Sequence, residues 1–345
     1  MSITRTVLER QEIEFLSDSY NILVSGQSLP SSGSTNQVVF LEEPSGKKFV
    51  AKKYTPDFTP ALATFQIRVN QYAWDQQVPT PQVICNRQGE VLSVHDGRVY
   101  AVSTFLPGSH PDQKRLDEII LALKGLALLN STLEKFTDTE GYDTLPRFKT
   151  PLHMQFEDMA KHLPEESHDE IDEYVLSHAA RIRRTITEVE ERIAQIRHPL
   201  QVIHGDYNLG CALVQDGKLT GVLDYDLLRK DYRGTDALHC IDLYCFEKEA
   251  EGMTLEDRVD WEKMKACFRA YREDDPGITD QLHDMPLMLA NSGLNSLIIT
   301  WDMGYNPAAR KKHRDYFAGR YAFFVNRVNI ALELEERIVD ALKQA

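Results

Sequence analysis

With 345 residues, 42% of them hydrophobic, the chain is long enough to bury the cores of two packed lobes. Its formal net charge of -14 argues against nucleic acid as the main partner, because backbone binding requires clustered Lys and Arg. No apolar run approaches the roughly 18 to 20 residues of a membrane span, and Met1–Arg5 lacks the apolar core of a secretory signal, so we expect a cytoplasmic protein without a membrane partner.

The amino-terminal part of the chain predicts a small antiparallel sheet. Its apolar residues alternate with polar ones in short runs bounded by turn residues, which is the pattern of half-buried strands. The small residues of Ser31–Asn36 lie between the first two strands, where their backbone amides can approach phosphate oxygens. We predict helices over 9–16 and 61–77, and strands over 20–24, 38–42, 47–54, 83–85, 91–94 and 99–105.

The carboxy-terminal part has the helical period of about 3.6 residues from Leu116 onward. Because the strand pattern ends at Leu106-Pro-Gly108, we predict an N-lobe of residues 1–107, a C-lobe of residues 108–345 and the α+β class. Asp236 fits an N-cap directly before one of the helices of the C-lobe. Helices are predicted over 169–197, 237–246, 285–301 and 310–342.

A hairpin is predicted at Asp216-Gly217, which separates the apolar runs Cys211–Val214 and Leu219–Leu223. In an antiparallel ribbon, the residues before the first strand and after the second lie side by side at the open end. Asp206 and Asp224 are therefore expected to converge there, with His204 beside them. This geometry alone is as compatible with a surface hairpin carrying solvated aspartates as with a catalytic site.

The order of residues in this stretch resembles the catalytic and metal loops of the aminoglycoside phosphotransferase and choline kinase family. The matching residues are His204-Gly-Asp206, then the hairpin, then Asp224-Tyr-Asp226. The resemblance implies a two-lobed, protein-kinase-like fold. It also implies an enzyme that transfers the γ-phosphate of ATP to a hydroxyl of a small molecule, such as an amino alcohol, an aminoglycoside or a sugar. It also implies Mg²⁺ as a cofactor, Asp206 as the base, Asp224 and Asp226 as metal ligands, and His204 as a support of the loop.

The resemblance extends to the nucleotide-binding residues of the N-lobe. Gly33, Ser34 and Asn36 match the loop that closes over ATP. Lys52 matches the strand lysine that binds the nucleotide phosphates, and Lys53 is the alternative. The segment Ser103 to Leu106 matches the hinge that binds adenine through its backbone, with Ser103 and Phe105 as contact residues. The resemblance also implies an acceptor pocket lined from the late helices by Asn291, Asn295, Trp301, Asp302 and Arg320.

Two positions depart from the pattern of the family. Cys211 occupies the place of the usual magnesium-binding Asn, although a thiol is a poor ligand for a hard cation, and the nearby Asn208 could compensate. Gln66 occupies the place of the helix Glu that pairs with the lysine, so Lys52 would be oriented by a neutral amide or by a carboxylate of the metal site. These departures keep a second interpretation open, a nucleotide-binding pseudokinase or regulatory protein with little or no turnover. A protein kinase is disfavoured because no Ala-Pro-Glu motif follows the metal-binding Asp.

Overall fold

The computed structural model of the chain describes residues 6–30, 36–56, 58–142, 150–161, 170–247, 252–303 and 314–345. The chain forms two compact units. Met1–Asp143 and Val202–Arg229 belong to the first unit, and Thr144–Gln201 and Lys230–Ala345 to the second. The division into lobes at residues 1–107 and 108–345 stays a prediction. Each helix in the described part of the chain is too short or too polar to cross a lipid bilayer.

The secondary structure follows the periods of the sequence along most of the chain. The helices described are α1 (Arg10–Tyr20), α2 (Pro60–Asp75), α3 (Leu116–Leu133), α4 (Leu152–Lys161), α5 (Glu170–Ile193), α6 (Arg233–Cys245), α7 (Trp261–Asp274), α8 (Met285–Met303), α9 (Arg314–Glu333) and α10 (Glu335–Gln344). The strands described are β1 (Gly26–Ser28), β2 (Gln37–Glu42), β3 (Lys48–Lys53), β4 (Val83–Ile84), β5 (Ser93–His95), β6 (Arg98–Thr104), β7 (Gln201–Ile203), β8 (Ala212–Gln215), β9 (Lys218–Val222) and β10 (Arg229–Asp231).

The predicted antiparallel sheet is confirmed in the first unit. Its strands follow the order β1-β2-β3-β6-β4, and β5 also pairs with β6. Because side chains of a strand alternate between the two faces, alternate residues in the middle of β2 and β3 are buried beneath α1. The residues buried there are Leu16 and Tyr20 of α1 with Val39, Leu41, Phe49 and Ala51 of the sheet.

The predicted strand over 20–24 is wrong. Tyr20 is the last residue of α1, and Asn21 ends the helix in the left-handed conformation, with its N–H donated to the carbonyl of Ser17. Leu16 and Tyr20, four residues apart, are both buried, so the helical period continues past the end of the predicted helix. The first strand begins later, at Gly26.

Helix α1 is fixed to the sheet by a small polar network around Glu12. The Glu12 carboxylate pairs with the ammonium of Lys53 on β3 and accepts hydrogen bonds from the Tyr100 hydroxyl and, at 2.8 Å, from the Glu9 N–H. Burial alone would raise the pKa of Glu12, but these donors together outweigh it and hold the pKa below its usual value. The network therefore stabilises the ionised carboxylate.

The predicted hairpin at Asp216-Gly217 is confirmed as β8 and β9, with both turn residues at positive φ. The segment after β6 fixes its position: the backbone groups of Ser109 and Val214 exchange hydrogen bonds of 3.0 and 2.8 Å. At Gly108, φ is +135° and a Cβ would lie 2.7 Å from Thr220 Oγ1, so no side chain fits at this crossing. The hairpin is thus fixed to the segment that follows β6.

The second unit is mainly helical in the residues described. The predicted helix over 310–342 consists of two helices, α9 and α10, with Leu334 between them. A buried ion pair joins Arg327 of α9 to Asp242 of α6, with 2.8 Å from Nη2 to Oδ1. The predicted N-cap at Asp236 is wrong, because α6 begins earlier, at Arg233, where the side chain of Gln281 accepts the Gly234 N–H at 2.9 Å.

Candidate active site

The two aspartates that flank the hairpin lie near each other at its open end. Asp206 and Asp224 are both exposed residues, and the charge of Asp206 is among those that act on Asp224. Although solvent reaches Asp224, the protein packed around it removes part of its hydration. This partial burial, together with the neighbouring charge of Asp226, raises the pKa of Asp224 to about 6. The open end is therefore a place of concentrated negative charge.

A second, buried cluster surrounds Asp226. The ammonium of Lys52 on β3 forms an ion pair with Asp226 Oδ1, and Asn36 Nδ2 donates a 2.7 Å hydrogen bond to Oδ2. Burial alone would lower the pKa of Lys52, but the negative charges of Asp226, first, and of Asp224 outweigh it and raise the pKa. Lys52 therefore stays protonated beside the two carboxylates.

The two adjacent lysines of β3 lie on opposite faces of the sheet. Lys52 contacts Asp226, whereas Lys53 contacts Glu12 in the network that fixes α1. This placement agrees with Lys52 as the predicted phosphate-binding lysine, a role that stays a prediction. The strand period of two residues explains why neighbours in sequence have different partners.

Gln66, at the place of the missing glutamate, contacts Asp226. Its Nε2 donates a 2.8 Å hydrogen bond to the backbone carbonyl of Asp226, and the residue is buried. The group that pairs with the Lys52 ammonium is the carboxylate of Asp226. Which of the two alternatives left open by the sequence, a neutral amide or a carboxylate, orients Lys52 for a nucleotide stays a prediction. Helix α2, which carries Gln66, begins at Pro60 with the Thr59 hydroxyl as its N-cap.

His204 and Asn208 both hold the loop that carries Asp206. The ring of His204 is fully buried, hydrogen-bonds through Nε2 to the carbonyl of Leu223 at 2.9 Å and packs edge-on against Tyr207. Asn208 Oδ1 accepts the Gly210 N–H at 2.8 Å, and its Nδ2 donates to the Asp206 carbonyl at 3.0 Å. The Asn208 side chain thus closes a local turn, and its predicted role as a metal ligand stays a prediction.

Cys211 lies directly behind the same loop. Its thiol is buried and lies 3.5 Å from the backbone carbonyl of Asp206. Its backbone also joins the two sides of the hairpin, since its carbonyl accepts the Leu223 N–H at 2.7 Å. Cys211 therefore contacts the loop of the predicted base, and its predicted role toward a metal stays a prediction.

The predicted nucleotide-binding loop and hinge are described in part. Gly33 and Ser34 lie outside the described residues. Ser103 pairs with Val50 and Val83 in the sheet, and the ring of Phe105 packs edge-on against Phe40. Adenine binding by Ser103 and Phe105 stays a prediction.

One contributor to the site was missed from the sequence. Arg229 donates a 2.6 Å hydrogen bond from Nη1 to the carbonyl of Gly205, the residue before Asp206. Gly205 has φ +85°, and a Cβ there would lie 2.2 Å from the Leu227 carbonyl. The glycine before the predicted base could have indicated, from the sequence alone, a backbone conformation with positive φ that other residues adopt with difficulty. Arg229 left no such signal, because a lone Arg after a strand is usually solvated.

Of the predicted acceptor residues, Trp301 has a structural partner. Its Nε1 donates a 3.0 Å hydrogen bond to Asp172 on α5, and both side chains are buried. Arg320 packs over the ring of Phe324. The Asp302 side chain lies outside the described residues. An acceptor pocket at Asn291 and Asn295 stays a prediction.

The oxygen donors at the hairpin fit a magnesium ion. Mg²⁺ is usually bound through one or two carboxylates, with waters and substrate phosphates as its other ligands, so a dedicated protein cage is not required. Accordingly, the described residues contain no cluster of three or more His, Cys, Asp or Glu side chains suited to a metal. Asp224, exposed and next to Asp206, offers a hard oxygen ligand of this kind.

Sequence comparison identifies the family. The sequence model of the phosphotransferase enzyme family matches residues 26–267. The chain belongs to this family. A homoserine kinase of Phenylobacterium zucineum is 23% identical over 61% of each chain, and one of Xanthobacter autotrophicus is 27% identical over 49% of each chain. The chain thus matches about half to three fifths of the length of these curated relatives.

Solved structures of kinases share the fold of this phosphotransferase family member. The amicoumacin kinase hAmiN, in complex with AMP-PNP and Ca²⁺, has a TM-score of 0.69 at 11% identity and covers 92% of this chain and 93% of its own. A microcompartment-associated aminopropanol kinase has a TM-score of 0.67 at 15% identity and covers 96% of this chain and 98% of its own. The choline kinase of Cryptosporidium parvum has a TM-score of 0.63 at 13% identity, covering 97% and 99%.

The predicted family and fold class are therefore confirmed: this member of the phosphotransferase enzyme family has a protein-kinase-like α+β fold with a small antiparallel sheet and a mainly helical remainder. The amicoumacin kinase hAmiN is in complex with AMP-PNP and Ca²⁺, an adenine nucleotide analogue and a divalent cation, which are the classes of cofactor that the sequence predicts for this chain.

Proposed function

We propose that the chain transfers the γ-phosphate of ATP, in the presence of Mg²⁺, to the hydroxyl of a small molecule. The observation that carries the proposal is the position of a protonated lysine, Lys52, beside the carboxylates at the open end of the hairpin. A lysine and aspartates so arranged are the protein groups that phosphoryl transfer requires, because this reaction depends mainly on positioning and charge stabilisation.

In this proposal each side chain has one task. Asp206 accepts the proton of the attacking hydroxyl, and its exposure leaves room for an acceptor to approach. Lys52 donates hydrogen bonds to phosphate oxygens, and Asp224 ligates Mg²⁺. When bound, Mg²⁺ neutralises charge on the phosphate oxygens. His204, Asn208 and Arg229 hold the loop of Asp206 so that the carboxylate need not reorganise during the reaction.

For the acceptor we propose a small alcohol that also carries an amino or ammonium group. Apart from the amicoumacin kinase, the relatives named above act on homoserine, aminopropanol and choline, according to their names, and each of these molecules has a hydroxyl and a nitrogen group. The formal net charge of -14 suits a cationic acceptor through long-range attraction. Aminoglycosides and sugars, which the sequence also predicts, are the competing acceptors.

The test is an assay of ADP release by the purified chain with Mg²⁺ and ATP, with product detection by phosphorus NMR. The acceptors are homoserine, 1-amino-2-propanol, choline, ethanolamine, an aminoglycoside and glucose. Phosphorylation of one of the amino alcohols or of homoserine is expected. Phosphorylation of glucose alone would contradict the proposed acceptor class. Nucleotide binding without turnover on any acceptor would favour a regulatory protein instead.

The role of the base is tested by Asp206→Asn. Turnover is expected to fall by about 10²- to 10⁴-fold, because a positioned general base contributes that much, while ATP binding is retained. The matched control is Asp216→Asn, an aspartate of the same hairpin that lies in its turn, where Asn also tolerates positive φ. Unchanged turnover of the Asp206 variant would refute the assignment.

A further inference from the structure

We propose that Asp226 positions Lys52 for the nucleotide phosphates, in place of the helix glutamate that this chain lacks, and that it leaves the metal ion to Asp224. Asp226 has this role only if the chain is the kinase proposed above. The sequence pattern instead predicts Asp226 as a metal ligand, so the two roles of Asp226 compete and can be separated by experiment.

The carboxylate of Asp226 is engaged at both oxygens. Oδ1 pairs with the ammonium of Lys52, and Oδ2 accepts a hydrogen bond of 2.7 Å from Asn36 Nδ2. The orientation of the Asn36 amide is itself fixed, because its Oδ1 accepts the Thr55 N–H at 2.9 Å. Asp226 is only 4% exposed. Because both of its oxygens are already engaged, this carboxylate is poorly placed to ligate a metal ion and well placed to hold the Lys52 ammonium.

The backbone of Asp226 is held as firmly as its side chain. Gln66 of α2 donates a 2.8 Å hydrogen bond to the Asp226 carbonyl, and Gln66 is 3% exposed. The helix position that usually carries the acid therefore acts on Lys52 through Asp226. A neutral amide cannot balance the charge of an ammonium, so the negative charge is supplied from the segment after β9.

Lys52 keeps hydrogen bonds available for a nucleotide in this arrangement. An ammonium has three N–H donors and the ion pair with Asp226 uses one side of it, so donors remain for phosphate oxygens. The pair is close to neutral overall, whereas Asp224 remains exposed with its own charge. Positioning of the lysine and binding of the cation are thus divided between two aspartates that are two residues apart.

The test measures two affinities in the full-length chain, that for ADP in EDTA and the apparent affinity for Mg²⁺ in the presence of ATP. Asp226→Asn is expected to weaken metal-free ADP binding by about tenfold, since Lys52 loses its charged partner, and to leave the apparent Mg²⁺ affinity unchanged. Asp224→Asn is expected to weaken the apparent Mg²⁺ affinity and to leave metal-free ADP binding unchanged. A loss of Mg²⁺ affinity in Asp226→Asn as large as that in Asp224→Asn would overturn the proposal.

A double variant keeps the test decisive if the unpaired Lys52 of Asp226→Asn prevents folding. Lys52→Met combined with Asp226→Asn leaves no unpaired charge in the cluster. Its ADP affinity in EDTA and its Mg²⁺ affinity are expected to equal those of Lys52→Met alone, because Asp226 acts through the lysine. A further tenfold loss of Mg²⁺ affinity in the double variant would overturn the proposal.

The same measurements separate this proposal from the proposed function. If the wild-type chain binds neither ADP nor MgATP, the proposed function and the role of Asp226 both fail. If the wild-type chain turns over and the Asp226 variants behave as metal-site variants, the kinase activity stands and the positioning role alone fails.

Discussion

Lys52 and Lys53, neighbours on one strand, belong to two polar clusters of opposite character. Lys53 meets Glu12, whose carboxylate also accepts the Tyr100 hydroxyl and the Glu9 N–H, so this cluster is closed by protein donors. Lys52 meets Asp226 beside the exposed carboxylates of the hairpin. An ion pair alone therefore does not mark an active site. The surplus of negative charge and its access to solvent distinguish the cluster of Lys52.

Replacement of each lysine by Met tests this comparison most strongly. Lys52→Met is expected to lower kcat/KM for ATP on the order of 100-fold, because a charged donor to the phosphates is lost, and also to lower the free energy of unfolding, because the buried Asp226 loses its ion-pair partner. Lys53→Met is expected to retain activity and to lower the free energy of unfolding by about 1 to 2 kcal/mol. The measurements are steady-state kinetics and urea unfolding. Equal kinetic losses in both variants would remove the distinction between the clusters.

Gly205→Ala tests how strictly the loop of Asp206 is fixed. The residue has φ +85° and its Cβ would lie 2.2 Å from the Leu227 carbonyl, so we expect a loss of roughly 2 to 3 kcal/mol in unfolding free energy together with reduced turnover. Gly217→Ala is the matched control, since φ there is +71° and a Cβ would have nothing within 4 Å. If both variants lose the same stability, contact with Leu227 is irrelevant and only φ matters.

Glu12→Gln tests the closed cluster through its pH dependence. The folded pKa of Glu12 lies below its unfolded value, so its stabilisation is present above about pH 4.5 and is lost as the pH falls through the folded pKa. The variant is expected to lose about 1 kcal/mol at pH 7 and to show a flatter decline of stability on acidification. Glu14→Gln, which removes an exposed pair with Arg10, is the control and is expected to keep the wild-type pH profile.

Cys211→Asn is expected to have the smallest effect. An Asn amide can donate to the Asp206 carbonyl, which lies 3.5 Å from the present thiol, so turnover is expected to be preserved. Because a thiol is a poor ligand for a hard cation and an amide oxygen is a better one, turnover at limiting Mg²⁺ is expected to stay the same or to increase. The measurement is turnover as a function of Mg²⁺ concentration, with Cys211→Ser as a control that lacks the amide. A large loss in the Asn variant would show that the thiol is itself required.

Local sequence signals predicted most of the fold, because strands, helices and the Asp216-Gly217 turn depend on neighbouring residues. The prediction of a strand over 20–24 was wrong because burial of Tyr20 extends helix α1. The contacts of the Lys52 cluster could not be deduced from neighbouring residues, because Asp226 lies 174 residues after its partner Lys52 and 190 residues after its partner Asn36. The sequence indicated the residue types of the site, but which carboxylate meets the lysine is decided by tertiary packing.

The first unit is discontinuous in sequence, since Thr144–Gln201 belongs to the second unit and separates its two segments. A ribosome that has completed Asp143 has made Lys52 and Gln66 but has not yet made Asp226. The carboxylate that neutralises the lysine emerges only after the intervening segment has been translated. Contacts of such long sequence separation form slowly, since the entropy of closing the loop opposes them. Assembly of the lysine cluster is therefore a late event in the biogenesis of this chain, because Asp226 is not available to Lys52 until the second segment of the first unit has been made.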